Sequence, residues 1–483
     1  MKANAAYPHV RDGISRRESY TGLWNLSLKT EYLRTAGVET DPFPEGVRHV
    51  LWFVLFNALS YQIILNTPMI LYAKSLGASA TVLGIIAGMT PLLVIFQIPA
   101  AKHVGRIGCK RFVFAGWGAR TLFVVGMALV PLAGGFLNPA SRLALLLANL
   151  FAFNLIRGIS TCGWLPWISA LIPASMRGRY LVRDVACQNL GGVAVFLLAA
   201  FVLGEQSEAW RFAVLFGFSA VMAWVSLGSL RRVPEVETPA EGRPSAVPVP
   251  WGEIIAYPPF QKLVWMAAGW SVAYGGLTTF VVAFLKTECG MSEYKIMLVT
   301  SVSFLGGMTS LVFLGSRLDR LGSKPVLIFS MASWLLIVGG WIVIAGRVVA
   351  PLIWAVLGLQ FLMGLASSLV AMATTRLALE VVPPMGRDHF FTFYSVAANL
   401  TLGVAPVFWG AGIDALQNVH GKWLGMEWNR FSIFFTAVCL VFLLTLFLCR
   451  RLEEARAVRM EELLRDIVQQ SPLRYWFRFW PRG

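Results

Sequence analysis

Asn154, Arg157, Thr161 and Trp164 follow one another at spacings of three, four and three residues. A helix through them therefore presents an amide, a guanidinium, a hydroxyl and an indole on one face. That set can grip an anion or a hydroxylated solute, but it holds no nucleophile–base pair. The sequence has no HExxH, no GxSxG and no phosphate-binding loop, so hydrolytic and ATP-driven chemistry are set aside. Its six cysteines (Cys109, Cys162, Cys187, Cys289, Cys439, Cys449) form no CxxC and no cluster with the five histidines. No metal, cofactor or disulfide framework is expected, and no enzyme.

Other polar residues recur inside long apolar runs: Asn57 and Tyr61, then Asn189, then Ser271, Tyr274 and Thr278, then Gln360, then Asn399. Polar groups are costly in lipid and normally face a bundle interior. Arg157 is the extreme case. It lies about 14 residues, roughly 21 Å, from the end of its run, and a charge there costs at least about 2.5 kcal/mol. None of the 25 acidic residues falls at that depth. A water-filled cavity with an anionic solute as counter-ion is the expectation. Arg120 lies at similar depth; Arg376 reads as the i,i+4 partner of Glu380.

The elements that must hold these groups are membrane spans. The chain has 483 residues, 57% hydrophobic and 14% charged, against about 25% charged in soluble domains. Twelve apolar runs are each long enough to cross about 30 Å of hydrocarbon: 48–73, 79–101, 109–132, 141–171, 178–204, 208–230, 260–286, 293–316, 323–346, 349–382, 387–414 and 428–449. The net charge of +16 comes from Lys and Arg concentrated on the side of both tails. That bias is topological, not a nucleic-acid signature, and it places both ends in the cytoplasm of a plasma or inner membrane protein. The organisation reads as a cytoplasmic tail (1–47), a six-helix bundle (48–231), a Pro-rich linker (232–259), a second bundle (260–449) and an amphipathic, basic-aromatic tail (450–483).

The two bundles repeat one another. Ala101–Lys110 and Gly315–Lys324 share Arg, Gly and Lys in register; Pro173–Arg177 matches Pro383–Arg387; Asn189 pairs with Asn399, and Tyr61 with Tyr274, at nearly constant offset. The segment Gly315–Lys324 resembles the G-x-x-x-D-R-x-G-x-K signature of the major facilitator superfamily. Glu380 to Arg387 resembles the E-x-x-P-x-x-x-R turn of its sugar-porter branches. The resemblance covers roughly residues 48–449. It implies an all-α integral membrane protein of twelve helices in two pseudo-symmetric bundles, with the cavity among spans 1, 4, 7 and 10, and with span 3 peripheral and its Arg120 structural. It also implies a charge clasp of Arg106, Arg177, Asp319, Arg320, Glu380 and Arg387. In the first half the acids of that clasp are replaced by Gly105 and Ala170, with Asp184 a candidate substitute.

The reading is a monomeric carrier working by alternating access on a small organic solute, an anion or a polyol-like metabolite, with the bilayer as its other partner; with no carboxylate or imidazole at midplane, facilitated diffusion, exchange, or symport of a proton carried with the solute is expected. The alternative is a protein of the same fold that no longer transports and serves as a membrane assembly scaffold.

Overall fold

The computed structural model of this chain describes residues 43–44, 46–173, 176–205, 207–236, 251–314, 322–381, 387–423, 425–452 and 454. Most of both tails, most of the linker and the loop holding Asp319 and Arg320 lie outside the described residues. Within the bilayer every backbone N–H and C=O must be paired inside its own segment, so apolar runs become helices. Among the described residues, eleven helical segments are long and apolar enough to cross a membrane: Val47–Ser75, Ala80–Ile107, Cys109–Gly135, Pro139–Leu171, Arg179–Leu203, Ala209–Arg231, Pro258–Thr287, Ser323–Ala345, Ile353–Val381, Phe390–Ala415 and Arg430–Arg450. The 22-residue helix Glu293–Leu314 stands between the seventh and eighth of these. Counting it, they are spans 1 to 12 below.

Polar caps fix several starts. Ser79 accepts from Val82 N, Asn138 from Ser141 N, and Asn429 with Ser432 forms a capping box at span 12. Span 2 continues as helix through the first-half repeat segment to Ile107, and ends at Gly108 with φ 89°. A two-stranded hairpin, Gly421–Trp423 with Met426–Trp428, precedes span 12.

Packing follows the repeat. Spans 1 and 6, 3 and 4, 3 and 6, and 1 and 5 pair in the first half; spans 7 and 12, 9 and 10, 9 and 12, and 7 and 11 pair in the second. One face of the protein, the tail side, gathers Gly46, Trp167 and Pro234, with Trp167 Nε1 donating to the Pro234 carbonyl at 3.0 Å. The halves meet toward the opposite, far side. There span 2 packs on span 11, span 5 on span 8, and Thr67–Ser75 on Leu277–Thr287. Glycine lets the first pair touch: a Cβ on Gly88 would collide with the Gly403 carbonyl. Asp414, at the end of span 11, accepts from Ala80 N (2.9 Å), Thr81 N (2.8 Å) and Thr81 Oγ1 (2.6 Å) at the start of span 2. Below Phe96, Gln97–Ile107 instead packs on spans 3 and 4 of its own half. Among the described residues the strongest contacts between the halves thus gather toward the far side, which they close.

Candidate functional site

Several spans are interrupted where they line the chamber. Span 1 breaks at Asn66, ahead of Pro68; span 7 breaks at Gly275–Gly276, where Gly276 adopts φ 79°. Span 4 tightens into a 3₁₀ turn at Thr161–Gly163. Irregular backbone at membrane depth is tolerated where it lines a cavity.

Three hollows share lining residues. A central one of about 400 Å³ lies between the halves and is lined by Tyr61, Gln62, Asn66, Asn189, Tyr274, Thr278 and Gln360, among others. A first-half hollow of about 250 Å³ joins it at Tyr61 and is lined by Asn57, Trp117, Arg120, Arg157, Thr161, Trp164, Asp184 and Gln188. A second-half hollow of about 480 Å³ joins at Tyr274 and Ser367 and holds Trp270, Ser271, Thr374, Tyr394 and Asn399. The pseudo-symmetric tyrosines therefore stand at the two thresholds of the central space.

In the first-half hollow Arg120 is buried, donates to Asn57 Oδ1, and lies 4.3 Å from the centroid of Trp117. Trp117 stacks on Trp164 at 6.0 Å. Thr161 Oγ1 donates to the Arg157 carbonyl, at the end of the α-helical part of span 4. The Arg157 Nη1 is buried and, among the described residues, has no hydrogen-bond partner. A polar relay crosses from this hollow to the centre. Tyr180 OH (3.3 Å) and Gln188 Nε2 (2.7 Å) donate to Asp184, Tyr61 OH donates to Gln188 Oε1 at 3.1 Å, Gln62 Nε2 donates to Tyr61 OH at 3.5 Å, and Asn66 donates to Gln62.

The structure brings Asn57, Tyr61, Arg157, Thr161, Trp164, Asn189, Ser271, Tyr274, Thr278, Gln360 and Asn399 to this connected space. Asn154 stands apart. It donates to Leu150 O and accepts from Thr90 Oγ1, both at 3.0 Å, and so ties span 4 to span 2. It is one turn beyond Arg157, where span 2 covers that face.

Two expectations change. Arg120 is structural in its bonding, yet it faces the hollow, not the periphery. And Arg157 is not remote from every acid: Asp184 sits two turns into its helix and shares the hollow, which reaches toward the tail side. A titratable carboxylate, Asp184, therefore borders the first-half hollow. Tyr180, Asp184 and Gln188, at four-residue spacing, form a polar stripe that span 5 carries in its sequence.

On the tail side, Arg106 is exposed at a helix end, and Arg177 donates to Ser169 O (2.9 Å) and Ile172 O (3.3 Å). Glu380 pairs with Arg376 at 3.8 Å, as the i,i+4 spacing predicts. The carboxylate at the start of span 9 is Glu454, two residues beyond the last described residue of the span 12 segment. Fully buried, it accepts from Ser323 N (2.8 Å), Lys324 N (2.7 Å) and Arg376 Nη1 (2.8 Å). Asp319 and Arg320 lie outside the described residues, and Arg387 is described only as the first residue of its helix.

A sequence profile of the Major Facilitator Superfamily matches residues 50–298 and 279–481. No curated protein matches the chain. Among solved structures, a point mutant of the nucleoside transporter NupG superposes with a TM-score of 0.65 at 10% identity, covering 84% of this chain and all of that one. The inward-open xylose transporter XylE from E. coli gives 0.63 at 16% identity, covering 86% and 98%. A bacterial homologue of the iron transporter ferroportin, inward-facing, gives 0.62 at 14% identity, covering 84% and 98%.

Proposed function

The chain belongs to the Major Facilitator Superfamily, a family of secondary transporters, and from that premise we propose that it carries a small organic anion by alternating access. The observation that carries the anionic reading is the buried Arg157 Nη1, unpartnered at the edge of a polar chamber. A guanidinium left so in low dielectric is stabilised by a carboxylate or similar counter-ion. The structural relatives carry solutes as different as a nucleoside and xylose, so the substrate has to be argued from the chamber.

In this reading the two bundles, 48–231 and 260–449, rock about the central hollow. The segments 1–47, 232–259 and 450–483 lie in the cytoplasm of a plasma or inner membrane, on the side where most of the Lys and Arg outside the spans fall. The state described above then faces inward. In the outward-facing state Arg106, Arg177, Asp319, Arg320, Glu380 and Arg387 close the cytoplasmic side. The carrier acts as a monomer, since one chain encloses the whole chamber.

The test is counterflow in proteoliposomes loaded with a panel of organic acids, sugars and nucleosides. Accelerated exchange of an organic acid, reduced in Arg157→Gln, is the expected result. Exchange of neutral solutes only, unaffected by Arg157→Gln, refutes the anionic reading. Absence of exchange for every solute refutes the carrier reading.

A further inference from the structure

The first-half hollow contains two guanidinium groups and one carboxylate: Arg120, Arg157 and Asp184. These three do not neutralise one another in contact. Arg120 is occupied by Asn57 and the face of Trp117. Asp184 is occupied by Tyr180 and Gln188. Among the described residues no ion pair joins Asp184 to either arginine, and Arg157 Nη1 stays buried without a partner. The hollow therefore carries one uncompensated positive charge, and one open donor.

Building on the carrier reading, we infer that this hollow is a subsite for a single carboxylate, and that Asp184 is the residue limiting it to one negative charge. Arg157 takes the anion in place of the missing partner. Asp184 subtracts one charge from the pair of arginines without taking their hydrogen-bonding positions. A dianion, such as a phosphate monoester near neutral pH, would leave an excess negative charge in a site of low dielectric, where such an excess is costly. The second-half hollow fits the rest of the molecule: none of its lining residues is charged, and Trp270, Ser271, Tyr274 and Asn399 offer rings, hydroxyls and an amide. The solute class is thus an organic monocarboxylate with an uncharged body, its acid end against span 4 and its body toward span 7. The relay from Asp184 through Gln188, Tyr61 and Gln62 to Asn66 joins the acid end to the central hollow that lies between the two.

The experiment is a titration of the full chain in nanodiscs, read by tryptophan fluorescence, because Trp117 and Trp164 line the hollow. The probes are benzoate, its neutral isostere benzamide, and the dianion phthalate. Benzoate should bind roughly tenfold or more tightly than benzamide, and more tightly than phthalate. Arg157→Gln should erase the benzoate preference, and Arg157→Lys should keep part of it. Asp184→Asn leaves two positive charges in excess: benzoate affinity should rise, and phthalate should overtake it. That gain is one a merely structural aspartate would not give. Gln188→Glu covers the case where Asp184→Asn fails to fold; it adds a negative charge in the same hollow and should abolish the preference. Equal binding of benzoate and benzamide, or an Asp184→Asn protein with unchanged or weaker anion binding, overturns the inference. Counterflow on the same preparation separates the two claims. Solute exchange without anion preference overturns this inference and the anionic reading but leaves the carrier standing, whereas anion preference without exchange overturns the carrier reading alone.

Discussion

Replacing Asp414 by Asn should unlatch the far side. Its carboxylate, at the end of span 11, holds three donors at the start of span 2, and every one of those bonds crosses between the halves. Opening the far side breaks all of them. Hydrogen bonds to a charged group contribute about 1.5–3 kcal/mol each, and a carboxylate at a helix N-terminus adds up to about 1 kcal/mol at a partly exposed site. Asn keeps one oxygen and can retain one neutral bond. After allowance for the half-exposed position, the closed state should lose about 2–4 kcal/mol, or roughly thirtyfold to several-hundredfold in the ratio of the two states. The assay is the labelling rate of a single cysteine at Val282, which is buried and lines the central hollow. A membrane-impermeant maleimide is applied from the far side of a chain otherwise free of cysteine. When opening is fast, the rate follows the open fraction and should rise by a comparable factor. Thr81→Val, which removes only the hydroxyl donor, should give a smaller rise, on the order of tenfold. An Asp414→Asn protein that is folded and labels at the wild-type rate refutes the reasoning, because it would mean that the three bonds are replaced on opening.

Further outcomes follow from other contacts. Glu454→Gln breaks a buried ion pair and weakens two bonds at the start of span 9; it should cost about 3–5 kcal/mol, read as a lowered melting temperature in detergent, and an unchanged melting point counts against the knot. Gly88→Leu places a side chain where the Gly403 carbonyl lies, so it should hold the far side open and raise Val282 labelling even with Asp414 intact. Burial, aided by Glu288 beside it, pushes the Cys289 thiol up to about 11. The thiolate is the reactive form, so with Cys289 as the sole cysteine, maleimide labelling should be slow at pH 7 and climb about tenfold per pH unit until near that value; a plateau by pH 9 would contradict it.

Much of this molecule is legible from its sequence, because lipid leaves a chain few choices. Apolar runs must be helices, and their spacing places the spans within a few residues. Polar residues inside them have to face inward, which is why Arg157, Tyr61, Tyr274 and Gln360 share one space. Depth along a helix, without the partner surface, is where the reading fails. Asn154 shares a helical face with Arg157, but span 2 covers that face one turn away, and only packing reveals this. Asp184 reads as an end-of-span residue when distance is measured along the helix; the hollow extends toward the tails and meets it there. Glu454 escapes the sequence reading because its role depends on spans 9 and 12 being neighbours, which only the packing shows.

The interruptions at Asn66 and Gly275–Gly276 leave two short rods, Thr67–Ser75 and Leu277–Thr287, of 9 and 11 residues. They are about 14 and 17 Å long, and they lean on one another above the central hollow. Each has its own pivot, so the lid over the chamber can tilt while the longer pieces of spans 1 and 7 stay seated in their bundles. A solute can then be sealed in, or let out, by a movement far smaller than the swing of a whole half.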